Sequence, residues 1–135
     1  MTGINPSDSI ARVVRGTGND EQLRLMRNHT IDLTTKNKLK MHVYMPSTNN
    51  YQSVNLKPTV ELRLMNSKKT SEVVVKTATV DSFNFNKWVE LIFDFSDSID
   101  MTTLDTWIIQ FGGQYSAGTL ASPGIFYFDN LLLTN

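Results

Sequence analysis

Lys36, Lys38, Lys40, His42 and Tyr44 occupy alternate positions of the chain, with Leu39, Met41, Val43 and Met45 between and beyond them. In an extended strand the two sets project to opposite faces. The polar face then carries ammonium, imidazole and phenol groups side by side. Such groups donate hydrogen bonds, to carboxylates or sulfates where a polymer is acidic, while an aromatic ring stacks on the face of a sugar. On this reading Arg63 and Glu61 extend the stripe from the next strand, and Tyr51 and Tyr115, both on long loops, rim a groove. A solvated outer sheet face produces the same stripe, because lysines are common there and discourage edge pairing. Loop packing equally accounts for the two tyrosines. Trp88 and Trp107 stand at or near strand starts, where a Trp is either partly buried with its indole N–H satisfied locally or a ligand platform. Lys40, His42, Tyr44, Tyr51, Arg63, Trp107 and Tyr115 are therefore the ligand candidates.

Catalytic patterns are sparse. There is no Gly-x-Ser-x-Gly elbow, and only His29 and His42 offer imidazole bases. The two histidines lack the spacing of a metal-binding pair on one element. Gly16-Thr17-Gly18 lacks the Lys and the strand-to-helix setting of a phosphate loop. Glu61, Glu90, Asp94 and Asp129 are carboxylates that spacing alone does not pair as acid and base. Asn28-His29-Thr30 matches an N-glycosylation acceptor, a triplet that chance also produces. No catalytic residue is nominated.

These side chains need a frame, and the stretch Lys87 to Ser96 supplies its main element. Val89, Leu91, Phe93 and Phe95 fall on one face of a strand, and Trp88, Glu90 and Asp94 on the other. Four large apolar groups on one face suit a sheet packed against a second sheet, so the segment is read as the central strand. Ile92, on the polar side, predicts partial cover there too. Strands are also predicted at Ile10–Val14, around Leu23 and Leu25, at Lys38–Met45, Val60–Met65, Glu72–Val80, Trp107–Phe111 and Ile125–Leu133. Asn66 to Lys69 forms a hairpin connection, and Ser98–Asp105 a single helical turn. A short helix from Asp20 to Arg27 is the alternative to the second strand. Many strands of similar spacing and no long helix give an all-β fold, an antiparallel β-sandwich of jelly-roll type.

With 135 residues, of which 40% are hydrophobic, the chain forms one domain that buries roughly two thirds of its unfolded surface. Formal net charge is zero, which argues against nucleic-acid binding by bulk charge. No apolar run approaches the ~20 residues of a membrane helix, so no membrane insertion is expected. The chain has no Cys, which excludes disulfides, thiol catalysis and thiolate metal sites. No signal peptide is apparent, and Met1-Thr2-Gly3 reads as the start of a domain cut from a larger protein.

Several segments occur in an order that resembles a known family: Gly3-Ile4-Asn5-x-Ser7, Ile10 to Gly16, Ile31-Asp32-Leu33, Met41-x-Val43-Tyr44-Met45-Pro46, Lys87-Trp88-Val89-Glu90-Leu91-x-Phe93-Asp94-Phe95-Ser96 and Tyr127-Phe128-Asp129-Asn130. The chain resembles, over nearly its whole length, the galactose-binding-like β-sandwich domains appended to secreted bacterial polysaccharide-degrading enzymes, many of them carbohydrate-binding modules. It departs from them in two ways. It begins at the Gly-Ile-Asn segment, where such domains usually carry one more strand, and its Pro46–Pro58 loop is longer. The resemblance implies a non-catalytic module, secreted or at the cell surface, that holds an attached catalytic domain near its polysaccharide. It also implies a structural calcium ion, with Asp129 as a ligand and Asn5 and Ser7 in the N-terminal loop as further ones. Asp129 lies among apolar neighbours in sequence, where an unpaired charge is costly to bury; backbone hydrogen bonds or an Arg would satisfy it equally. The alternatives are a spacer or adhesion domain of the same fold without a glycan site, and third a polysaccharide lyase using Tyr and His on a sheet face.

Overall fold

A computed structural model describes residues 10–15, 22–26, 29–51, 56–113 and 124–135. Alternating apolar residues build eight strands: β1 (Ala11–Arg15), β2 (Leu23–Met26), β3 (Lys38–Tyr44), β4 (Thr59–Asn66), β5 (Lys69–Thr79), β6 (Trp88–Asp94), β7 (Thr106–Phe111) and β8 (Gly124–Thr134). They form two four-stranded antiparallel sheets, in the orders β1-β8-β3-β6 and β2-β7-β4-β5. Successive strands change sheet at every connection except the β4–β5 hairpin, which turns on Ser67-Lys68. This is the winding of an eight-stranded jelly roll. No helix among the described residues is long and apolar enough to cross a membrane.

The inner faces meet as the alternation requires. Leu39, Met41, Val43, Leu91, Phe93 and Phe126 of the first sheet pack against Val60, Leu62, Leu64, Trp107, Ile109 and Phe111 of the second. Val89 and Phe128 are partly buried at the margin of this core. Rings bridge the layers: Phe111 stacks on Phe126 with centroids 5.5 Å apart and on Phe128 at 5.6 Å, and Phe95 meets Trp107 edge-on at 5.9 Å.

Three expectations are corrected. The Lys87–Ser96 segment forms an edge strand, because β6 pairs with β3 alone among the described strands. Its apolar face reports the sheet it packs on, not the number of strands beside it. Accordingly Ile92, expected to be partly covered, is 52% exposed. The turn expected within Ser98–Asp105 starts earlier than predicted: a 3-10 turn at Ser96–Ser98, anchored by the Asp94 carboxylate, which accepts from the Ser96 N–H at 2.9 Å, runs on into a turn closed by the Met101 N–H on the Ser98 carbonyl at 3.0 Å. A second 3-10 turn spans Ser82–Asn84. The stretch around Leu23 and Leu25 is a strand rather than a helix.

β8 is irregular at one point. Lys40 pairs with Leu132 and His42 with Asp129, so Asn130 and Leu131 together oppose Met41. This is a β-bulge, and Asn130 takes the left-handed conformation at φ 53° that a bulge residue needs. Asn tolerates it better than most side chains.

Candidate functional site

Directly opposed residues of antiparallel strands share a face, so the register assembles the outer face of the first sheet. Trp88 lies beside Tyr44, Tyr44 beside Tyr127, and Tyr127 beside Arg12. The next row is Glu90, His42 and Asp129, then Ile92, Lys40 and Leu132, then Asp94, Lys38 and Thr134. Rows repeat about every 6.7 Å along the strands.

The first row is an aromatic cluster. Tyr44 meets Trp88 at 5.6 Å with tilted planes and Tyr127 edge-on at 5.9 Å. Tyr44 is only 8% exposed, because the flanking rings close over it. Trp88 and Tyr127 are half-buried and keep part of their rings in solvent. Tyr44 thus positions its neighbours and presents little surface of its own.

The second row is polar and is shaped by the bulge. Asn130 is exposed, and its amide Nδ2 lies 2.8 Å from His42 Nδ1. With that amide donating, the imidazole proton sits on Nε2, which faces Glu90 Oε2 at 3.5 Å. Without the extra residue in β8, Asn130 would follow the alternation to the core face. The bulge therefore turns two consecutive polar residues, Asp129 and Asn130, toward His42.

Lys40, His42 and Tyr44 thus share this face, as the sequence predicts. Arg63 and Glu61 do not join them. Leu62 and Leu64 of β4 point into the core from the second sheet, so Arg63 projects from the opposite outer face of the sandwich. There its Nε donates to the Glu61 carboxylate, and Nη2 lies 3.5 Å from Gln110 Oε1. The error was to treat β3 and β4 as sheet neighbours, when the β3–β4 connection crosses between sheets. Trp107 is a core residue, 6% exposed and packed against Phe95, so it offers no platform to a ligand.

Tyr51 ties a loop down. Its hydroxyl accepts from Asn49 Nδ2 at 2.9 Å and lies 3.8 Å from Met45 Sδ, and its ring packs on Phe85 at 4.7 Å. Burial pushes the Tyr51 phenol up to about 12, against the opposing effect of Asn49. Asn49 in turn brackets Ile125, donating to its carbonyl at 2.7 Å and accepting from its N–H at 2.9 Å. This clamp fixes the loop after β3 to the start of β8, next to Tyr127. Tyr115 lies outside the described residues.

Asn5 and Ser7 also lie outside them. Asp129 faces His42 across the β3–β8 ladder. Among the described residues no group of three or more His, Cys, Asp or Glu side chains is arranged to hold a metal ion. At Asp129, further calcium ligands would therefore be backbone carbonyls, amide or hydroxyl oxygens, or water.

No family model matches the sequence, and no curated protein does. Among solved structures, the chain is similar to one described as "CBM4 structure and function", with 14% identity and a TM-score of 0.49 over 95% of this chain and 72% of that one.

The ligand candidates read from the sequence leave out Trp88, Tyr127, Glu90 and Asn130. The signal for the last was present: Asp129-Asn130 interrupts an otherwise apolar strand, and a polar pair there marks a bulge. The others became legible only once the register was known.

Proposed function

We propose that the domain is a non-catalytic carbohydrate-binding module whose site is the outer face of the β1-β8-β3-β6 sheet. One observation carries this reading: half-exposed Trp88 and Tyr127, held by Tyr44, lie one row from the hydrogen-bonding set His42, Asn130 and Glu90. Sugars present an apolar ring face and a rim of hydroxyls, and a site with an aromatic surface beside donors and acceptors matches both. The sequence resemblance to modules of polysaccharide-degrading enzymes supports the same reading. On it, the domain belongs to a larger protein, secreted or at the cell surface, and raises the local concentration of an attached enzyme at its polymer.

The test is affinity electrophoresis of the domain in native gels containing a panel of polysaccharides, with product analysis. Retardation by at least one polymer without new reducing ends or unsaturated products is expected. Trp88→Ala should then weaken binding to that polymer tenfold or more, about 1.4 kcal/mol, while Trp88→Phe keeps most of it. A Trp88→Ala variant that folds and binds like the parent would remove the aromatic row from the site.

A further inference from the structure

We infer that the polymer recognised by this face is uncharged; the inference rests on the glycan-binding reading above and sharpens it. The stripe of lysines and His42 in the sequence suggests an acidic ligand, but the register sets carboxylates among the cations: Asp94 lies directly opposite Lys38, and Glu90 and Asp129 occupy the row between Lys40 and Arg12. Among the described, paired positions of this face, Arg12, Lys38 and Lys40 give three positive charges and Glu90, Asp94 and Asp129 three negative ones, a sum of zero with His42 neutral. Of the other cations of the predicted stripe, Arg63 projects from the other side of the sandwich and Lys36 precedes β3, outside the ladder.

The signs are also interleaved. Lys38 lies opposite Asp94, whose carboxyl pKa is lowered chiefly by hydrogen bonds from Ser96 and to a lesser degree by the Lys38 charge. Glu90 and Asp129 flank His42, between the Lys40 row and the Arg12 row. Rows stand about 6.7 Å apart, within a screening length of about 8 Å at physiological ionic strength. A sulfate or carboxylate on a polymer would feel both signs at once and gain little net attraction. Where it came over the middle row, it would meet two carboxylates. A hydroxyl suffers no such penalty. It both donates and accepts, and the row offers carboxylate acceptors in Glu90 and Asp129 beside the His42 Nε2–H and the Asn130 amide. Ile92 and Leu132, 52% and 58% exposed, flank Lys40 with apolar surface that suits sugar C–H groups better than ionic ones.

The experiment compares neutral polymers (β-glucan, xylan, mannan) with acidic ones (alginate, polygalacturonate, a sulfated galactan) in native gels. Calorimetric titration of any polymer that retards the domain follows, at low and at high salt. Retardation by a neutral polymer, with less than about a twofold change in affinity between the two salt conditions, is the expected result. Retardation by acidic polymers alone, lost at high salt, overturns the inference and leaves the glycan-binding reading standing. Absence of retardation by any polymer overturns that reading itself, and the inference with it.

Discussion

Phe95 tests the sandwich most directly, because its ring leaves the first sheet at the end of β6 and meets Trp107 of β7 in the second. The side chain is fully buried. Truncation to Ala removes the ring and leaves a cavity between two layers that each have their own hydrogen-bonded frame and so collapse poorly. The cost for such a Phe is about 3–5 kcal/mol. Unfolding entropy near 2.1 cal/mol/K per residue makes each kcal/mol worth about 3 to 4 °C in a chain of this size, so the melting temperature should fall by about 10 to 18 °C. Thermal unfolding followed by circular dichroism, with urea titration at one temperature, measures both. The contact itself is isolated by Phe95→Leu, Trp107→Leu and the double variant, since Leu keeps apolar volume and removes the ring. A coupling of about 0.5–1.5 kcal/mol is expected for an edge-to-face pair. Single effects that add within about 0.3–0.5 kcal/mol would mean that the two rings do not touch, and the stacking of the sheets at this end would be wrong.

Two further outcomes follow. Glu72 accepts from Thr103 Oγ1, Asn66 Nδ2 and Lys69, which hold its carboxyl near about 2 against an ordinary 4.5; its contribution is therefore complete above about 4.5 and is lost as pH falls from there toward 2. Melting temperature against pH should show a shallower acid limb for Glu72→Gln than for the parent, and parallel limbs would refute the assignment. Calcium is tested by melting after exhaustive chelation and again after the ion is restored: an ion at a hundredfold excess over its dissociation constant adds about 2.7 kcal/mol, a rise of several degrees. That rise is what the calcium expectation requires, and an unchanged transition assigns Asp129 wholly to the outer face beside His42.

The core was legible because period-two alternation reports burial directly. Leu39, Met41, Val43, Leu62, Leu64 and Phe93 are all buried, as their spacing requires, and the all-β class follows from the number of such runs. What alternation does not report is which strand lies next to which. β3 and β4 are consecutive and similarly patterned, yet they face each other across the core, so Lys40 and Arg63 project in opposite directions. The same limit hid the aromatic row. Tyr44, Trp88 and Tyr127 are separated by some 40 residues at each step in sequence, and only the Tyr44↔Trp88 and Tyr44↔Tyr127 pairings join them. His42 was found because its own strand announces it, whereas Asn130 reaches it through a bulge that breaks the alternation.

The edge beside this face has its own physical logic. β6 pairs only with β3 and β5 only with β4 among the described residues, so two strand edges flank one side of the sandwich. β5 is eleven residues long and rich in Val and Thr, the kind of edge on which another chain readily adds a strand. Lys76 works against that. It lies opposite Leu62 and so points toward the core face, and its Nζ escapes along the flank to Asp97 Oδ2 at 2.7 Å. A strand added to β5 would cover this pair and remove both charges from water, a cost that their mutual attraction rarely offsets. Val alone at that position would invite the addition. With the flank kept wet, β5 and β6 both stay open borders of their sheets among the described strands.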